Sequence, residues 1–490
     1  MAVLIAAAIS ERRAGRNETL FFCILAAATG LFYALLLTRG RLDPFGPELG
    51  GLVFNNMLSH MLAGHWDVDP AVIGREAFVR DGSTYAYFGP FPAIIRLPLL
   101  LLPGWPVLHV ERVSCWLAVL LGTAAQSSAV LTALTRAPAS ARQTLGPILV
   151  LACVFSGPPV LLGWKGALVY HEAILWAWAL AACFVALALR VGLHGMRFTT
   201  PILAAMAICA GLCLLTRSTT GGGLFIALSL VLLRTILSGY PRDLLRRLAH
   251  RECWVPASIL LGFIAVAGMV NQGRWGTPFS FADLRAQIFL IAQFPDRLAR
   301  LELYGLFNLR RGWIGCLYYI APVWTSWADG RLHLGPVIAR QFDALELPAA
   351  SLLLTDPLWC VLSCAGIVAI FRGRAIAGSV PVAAGLCVAP ALMLVAWYMS
   401  FRYRVEFAPA LLFFSCIGLA DRAARMDDAA IKRASQLLRC LCVAQIVGAG
   451  AAGYSYREAL FGPSPGYAGI SLFGGAWSTE VAAHRRFEPR

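Results

Sequence analysis

Charge is what this chain has least of. Asp, Glu, Lys and Arg supply 14% of its 490 residues against 59% for the hydrophobic set, and Lys165 and Lys432 are its only lysines. So little charge cannot clothe two or three soluble domains in water, which excludes any large soluble part. There is no low-complexity stretch, and no internal repeat of the kind a two-halved transporter shows. The fourteen cysteines have no metal-ligand partners and suggest no disulfide framework. Almost all lie inside apolar runs at helical spacing, as Cys209 with Cys213 and Cys360 with Cys364, and read as small buried hydrophobes, with Cys316 alone in an outer segment. The start, MAVLIAAAIS, has no basic residue ahead of its apolar part and is too short to span, which argues against a cleaved signal peptide.

What the chain has in abundance is apolar runs of about 20 residues, the length that crosses a bilayer. The pattern predicts an all-α polytopic membrane protein, a single membrane-embedded domain over 1–490, with spans near 19–38, 112–134, 145–162, 172–190, 201–216, 221–238, 253–270, 353–371, 376–399, 406–421 and 435–453, eleven in all. With the N-terminus inside, every inner connector is basic: Arg12, Arg13 and Arg16, then Arg136 and Arg142, Arg190 and Arg197, Arg242, Arg246 and Arg247, Arg372 and Arg374, and Arg422, Arg425, Lys432 and Arg433. An odd span count puts the C-terminus outside. Orientation therefore explains the net charge of +15; the arginines form no basic tail, and nucleic acid is not expected as a partner. The excess of arginine over lysine points to the inner (plasma) membrane of a bacterium with a GC-rich genome.

Two outer segments are too long for turns. The first, 39–111, carries DPFGPELGG, FNNMLSHMLAGHWDVDP and RDGSTYAYFGPFPAIIRLP between strongly apolar runs. Its carboxylates and irregular backbone would go unsatisfied in lipid, so it lies outside the bilayer. Its end, AIIRLPLLLLPGWP, is broken by Pro92, Pro98, Pro103 and Pro106, which suits a helix lying in the outer interface better than a straight span. The second, 271–352, contains LRRGWIGCLYYIAPVWTSWADG, an aromatic-rich cap at headgroup level.

Chemistry is expected on this outer side. The first loop holds Asp43, Glu48, Asp67, Asp69, Glu76 and Asp81. Any one of them could be a solvated surface charge, but Glu48 opens the run LGGLVFNNMLSHMLAG, where a helix N-terminus would hold its carboxylate charged, as a base, a metal ligand or an ordinary cap. In YHEAILWAW, His171 and Glu172 begin the fourth span, as a dipole cap or as a second acid facing the loop. Lys165 nearby could bind a phosphate as a point charge. In LLTRSTTGGGLF, Arg217 lies between apolar runs, where a guanidinium either meets an anionic ligand such as a lipid phosphate or snorkels to the interface. Gly221, Gly222 and Gly223 mark a turn or a close-packing site, since no strand precedes them and no GK[ST] follows. FRYRVEFAP sets Arg402, Tyr403, Arg404 and Glu406 at the entry of the tenth span, as a two-arginine phosphate site or an Arg404–Glu406 pair. Tyr85 and Tyr403 are supporting positions, with His171 and Asp81. NQGRWGTPFSF reads as a turn in which chemistry is not demanded.

In this order the pieces resemble the GT-C superfamily of membrane glycosyltransferases, in the branch of protein O-mannosyltransferases and lipid A aminoarabinose transferases. PELGGLVFNNMLSHMLAGHW is similar to the family's acid-then-helix segment after the first span, YFGPFPAIIRLP to its Pro-rich stretch, Glu172 in YHEA to its second acid and Arg217 in LTRST to its basic residue after the fifth span. NQGRWGTPF and FRYRVEFAP are similar to segments common in bacterial members. Two departures stand out: the expected catalytic Asp is nearest to Glu48, leaving Asp43 and then Asp81 as alternative bases, and the lysine of the Pro-rich stretch is missing. The resemblance implies a GT-C-like fold, a polyprenyl-phosphate-linked sugar as donor, and a glycolipid, glycan or protein acceptor at the outer, periplasmic face. It leaves a divalent metal as an option, used by some members only. Metal-assisted or general-base transfer with inversion is the expected reaction. A ligase or polymerase of lipid-linked glycans and a multi-pass transporter are the rival readings.

Overall fold

An apolar run in lipid satisfies its backbone only through its own helical turns, and each of the eleven runs falls on helix in the computed structural model, which describes residues 16–237, 250–293, 296–321, 341, 344–345, 351–374, 376 and 378–461. In chain order the elements used below are α1 (Arg16–Leu37), α2 (Val53–Leu62), α3 (Glu111–Ala133), α4 (Ala139–Phe155), α5 (Pro158–Gly163), α6 (Val169–His194), α7 (Thr200–Leu214), α8 (Ser218–Leu237) and α9 (Arg251–Trp275), followed by α10 (Gly312–Tyr319), α11 (Pro357–Phe371), α12 (Ser379–Leu386), α13 (Val388–Leu394), α14 (Ala408–Ala423) and α15 (Asp428–Phe461). Among the described residues seven helical stretches are long and apolar enough to cross a membrane: Glu111–Arg136, Ala139–Gly163, Val169–His194, Ser218–Leu237, Arg251–Trp275, Phe401–Ala423 and Asp428–Arg457. Ile24–Leu37, Thr200–Leu214, Pro357–Phe371 and Ser379–Leu394 are apolar but shorter. The chain is a polytopic helical membrane protein whose only strands, among the described residues, form two two-stranded pieces.

Two runs differ from their expected course. The third is bent between α4 and α5, where Gly157 takes a left-handed φ of +76° and Pro158 and Pro159 open the next turns. The ninth, read as 376–399, is divided at Cys387 and stops at Leu394; beyond it Tyr398–Met399 pairs in parallel with Ala344–Leu345. In the glycine run of α8, Gly221 packs against the Leu214 backbone and Gly223 would set a Cβ only 2.7 Å from the Gly385 carbonyl of α12, while Gly222 faces open space. Elsewhere α3 packs along α6, α11 along α14, and α7 along α9. The basic connectors at 1–15 and 238–249, residues 322–340 of the aromatic segment and the C-terminal 462–490 lie outside the described residues.

The first loop is a folded layer on one end of this bundle. Helix α2 and the segments flanking the loop's hairpin, Phe78–Arg80 with Ser83–Tyr85, share a small core of Val53, Phe54, Met57, Leu58, Phe88 and Ala93, which rests on Val169 and Ala173 at the start of α6. The end carrying this layer is called the loop face below. The stretch Phe91–Leu101 forms short turns, with Leu97, Leu101 and Val107 exposed at 42%, 87% and 71%. That is the apolar edge an interfacial segment presents to headgroups.

Candidate active site

Two charged networks meet the loop layer. In the first, Glu48 lies in irregular chain five residues before α2 rather than at a helix N-terminus, which corrects the expectation that it opens the helix. Arginines, not the helix dipole, hold it. Its Oε2 is 2.9 Å from Arg39 Nη2, its Oε1 is 2.8 Å from Arg112 Nη2 and 2.9 Å from Arg112 Nε, and its side chain is 2% exposed. The Glu48 N–H donates to Glu111 Oε1 at 3.0 Å, and His109 lies 2.9 Å from the same oxygen. Gly51 leaves the space that the Glu111 carboxylate fills; a Cβ there would collide with it. Arg112 also donates to the Asp43 carbonyl at 2.8 Å and reaches the Asp43 carboxylate at 3.5 Å, and that carboxylate is 53% exposed. Asp43 is therefore the open acid of the pair and Glu48 the closed one.

Glu172, in the first turn of α6, is fully buried with its Oε2 2.6 Å from Arg96 Nη2. Arg96 donates through Nη1 to Asn55 Oδ1 at 2.6 Å and to the Gly51 carbonyl at 3.3 Å, while Asn55 donates to the carbonyls of Trp105, Pro106 and Leu108 at 2.9–3.1 Å. Arg96 thus ties the end of the loop to α2 and α6. Sequence reasoning passed over Arg96, Asn55 and Glu111, although a lone arginine inside AIIRLPLLLL is the kind of costly charge that demands a partner. His171 Nδ1 is 2.7 Å from the Gly166 carbonyl, which requires its proton on that nitrogen. Lys165 is wholly buried, its Nζ 3.5 Å from the centroid of Tyr456.

The second network surrounds Arg217, between α7 and α8. Its Nε pairs with Glu406, which also accepts from Thr219 Oγ1 at 2.9 Å and from Thr220 Oγ1. The expected Arg404–Glu406 pair does not form. Residues 401–407 make a 3₁₀ helix, in which side chains two apart point about 120° away from one another, so Arg402 and Arg404 diverge. Arg404 turns into the bundle to Thr355 and Asp356. Arg402 lies over the rings of Tyr170, at 4.2 Å, and Tyr403, at 5.8 Å, and Arg217 lies over Tyr403 at 4.7 Å. Two guanidinium groups therefore meet one tyrosine ring within cation–π reach, one of them also paired with Glu406.

The stretch Tyr87–Arg96 links the networks. Phe91 N–H donates to the Leu215 carbonyl at 3.0 Å beside Arg217, Gly89 lies so close to that carbonyl that no Cβ fits, and Phe88 meets the Tyr170 ring edge-on. Arg274, from NQGRWG, clamps the stretch by donating to the Phe88 carbonyl at 2.7 Å. Burial, and then the nearby Glu76, pushes the Tyr87 hydroxyl well above its usual range, so it remains a donor. Tyr170, His171 and Glu172 are consecutive, and they face Arg402, Gly166 and Arg96 in turn. Glu48 and Arg217 belong to separate networks rather than to one ion-paired set.

The remaining candidates lie apart. Asp81 sits at the hairpin tip, 81% exposed and 3.1 Å from Arg80. Tyr85 pairs with Phe78 in the hairpin and tilts against Trp275. Among the described residues no group of three His, Cys, Asp or Glu side chains could hold a metal ion. The Glu48 carboxylate, bracketed by two guanidinium groups, is a poor fit for a divalent cation, which would meet their positive charge.

No family model matches the sequence, and no curated protein matches it. Among solved structures the chain is similar to the archaeal oligosaccharyltransferase AglB from Archaeoglobus fulgidus, in complex with an inhibitory peptide and a dolichol-phosphate, at 14% identity and a TM-score of 0.47, over 93% of this chain and 58% of that one. It is similar to ArnT from Cupriavidus metallidurans bound to undecaprenyl phosphate at 15% identity and a TM-score of 0.42, over 91% and 78%. A further structure of the Archaeoglobus fulgidus oligosaccharyltransferase, a complex with Zn and sulfate, gives 14% identity and a TM-score of 0.44, over 95% and 55%. The chain thus spans little more than half the length of the oligosaccharyltransferase, and likeness at this level carries no weight for substrate or mechanism.

Proposed function

We propose that the chain is a GT-C-type membrane glycosyltransferase that moves a sugar from a polyprenyl-phosphate-linked donor to a glycolipid, glycan or protein acceptor, at the periplasmic face of a bacterial inner membrane. The observation that carries this reading is the convergence of Arg217 and Arg402 on Tyr403, at the same face as the acids of the first loop. A polyprenyl phosphate leaves as an anion and needs cations rather than a general acid. The acceptor heteroatom attacks the sugar's anomeric carbon, the bond from that carbon to the phosphate oxygen breaks, the phosphate keeps the electron pair beside the two arginines, and a carboxylate takes the acceptor's proton. A single displacement of this kind inverts the anomeric centre. Asp43 is assigned as the base because it is the open acid, and Glu48 holds Arg112 in place beside it. The basic connectors at the opposite end, among them Arg136, Arg372, Arg374, Arg422 and Arg425, support the loop face as the outer one.

One observation favours a second reading, a ligase or polymerase of lipid-linked glycans: Glu48 and Glu172 are both occupied by arginines. Comparison of envelope glycolipids and glycoproteins by mass spectrometry, in a deletion strain complemented with each variant, separates the two. The transferase reading expects one sugar-bearing product to vanish with Arg217→Gln, Arg402→Gln and Asp43→Asn. Survival of that product with Asp43→Asn and with Glu48→Gln, together with its loss in the arginine variants, would support the ligase. An unchanged envelope in the deletion strain would refute both.

A further inference from the structure

The bundle also has a built feature at the end opposite the loop. Two adjacent clefts of about 220 and 310 Å³ open there, where the ends of α3, α6, α11 and α14 meet, and they share Arg374, Asp421 and Arg425 in their walls. Arg136 completes the first, and Arg372 and Arg422 the second. The lone carboxylate is already committed, since Asp421 pairs with Arg425 one turn on. Helix C-termini attract cations, and three of the arginines sit at one: Arg136 donates through Nε to the Leu193 carbonyl at 2.8 Å, Arg372 caps α11 and Arg422 lies in the last turn of α14. Arg372, Arg374 and Arg422 make no ion pair among the described residues. Their side chains are exposed, so water and salt screen their repulsion, and five guanidinium groups around one carboxylate leave the clefts with a positive surface that an anion can join.

What kind of anion follows from the surface beside the cleft. On α11, Val361, Val368 and Phe371 are 48%, 41% and 87% exposed and spaced as a single stripe that runs up to Arg372. An apolar stripe ending at a basic cleft matches a ligand with a phosphate at one end and acyl chains at the other. We infer that the cleft bounded by Arg136, Arg372, Arg374, Arg422 and Arg425 binds the phosphate headgroup of an anionic phospholipid of the opposite leaflet, with its chains along α11. Basic pockets between membrane helices are where such headgroups dock. The site is independent of the chemistry at the loop face.

The test uses the full-length protein in detergent, with phosphatidylglycerol, phosphatidylcholine or inorganic pyrophosphate added, read by native mass spectrometry for retained lipid and by apparent Tm. Phosphatidylglycerol should be retained and raise Tm, while phosphatidylcholine and pyrophosphate should not. Replacing Arg372, Arg374 and Arg422 by Gln should weaken retention about fivefold per arginine, which is the factor for about 1 kcal/mol per basic residue near an anionic surface. The triple Lys variant should retain most of the binding. Equal retention of both lipids, or undiminished retention by the triple Gln variant, would overturn the proposal. A Tm rise with pyrophosphate as large as with phosphatidylglycerol would do so too, by assigning the cleft to a soluble phosphate compound. If the Gln variant does not fold, the comparison of the three probes on the wild-type and Lys proteins decides alone.

Discussion

Replacing Arg96 by Met and Glu172 by Leu, singly and together, tests whether the pair is the clasp that seats the loop. Both side chains are at most 2% exposed and their charged atoms are 2.6 Å apart. At an effective dielectric of about 20, unit charges about 4 Å apart attract by about 4 kcal/mol, and removing one partner of a buried pair costs about 3–5 kcal/mol because the other charge is stranded. Arg96→Met also leaves Asn55 Oδ1 and the Gly51 carbonyl without their donor, at about 1 kcal/mol each. Each single variant should therefore be strongly destabilised. The double variant strands no charge and should cost no more than the milder single one, a coupling of about 3 kcal/mol or more. The buried thiols of Cys115, Cys153, Cys213 and Cys416 suit a melt followed by a thiol-reactive fluorophore, and Cys115 lies one turn beyond Glu111. At about 2–4 °C per kcal/mol for domains of 150–250 residues, and less for a longer chain, the single variants should lose roughly 5–10 °C. Additive losses in the double variant would refute the clasp.

Further expectations concern the loop face. Gly89→Ala places a methyl against the Leu215 carbonyl and should cost about 1–3 kcal/mol while loosening the loop, seen as faster proteolysis between residues 63 and 90. Arg404→Gln strands the buried Asp356, so Tm should fall as for the loss of a buried pair, by about 3–5 kcal/mol, with recovery in Arg404→Gln/Asp356→Asn. Arg402→Gln should leave Tm nearly unchanged, within about 1 kcal/mol, yet abolish the sugar-bearing product in the complementation assay. Asp81→Asn, at an exposed hairpin tip, should alter Tm by no more than about 0.5 kcal/mol and leave the product intact.

The helices were readable from sequence because lipid imposes a one-dimensional rule, an apolar run of sufficient length, and each run found its helix. The exclusion of 39–111 from the bundle followed from the same rule, since buried carboxylates need partners. The partners themselves were not readable. Glu406 is one residue removed from Val405 and two from Arg404, yet it binds Arg217, 189 positions away, because the turn at 401–407 is 3₁₀ and sends neighbouring charges in different directions. PELGGLVFNN, with an acid before an apolar run, has the pattern of a helix opening at Glu48, but Gly50, at φ +69°, and Gly51 keep the chain irregular until Val53. Arg96 stands alone in an apolar run and Arg274 in a segment that reads as a turn. Each is committed to carbonyls or carboxylates supplied by distant segments, and no local pattern announces such a bond.

These pairings bear on chemistry as well as on folding. A buried acid facing one arginine is neutralised and stays fixed; at the loop face Glu172 is closed by Arg96 and Glu48 by Arg39 and Arg112. Asp43 stays half exposed at the edge of the Arg112 site, while Arg217, paired with Glu406, lies over Tyr403 and Arg402 lies over Tyr170. A tyrosine face offsets a cation by about 0.5–2 kcal/mol, less than a charge-assisted pair with an oxyanion does. On the proposed transferase reading the paired acids Glu48 and Glu172 hold the scaffold of the loop face, and the chemistry falls to Asp43 and to the two guanidinium groups that meet at Tyr403.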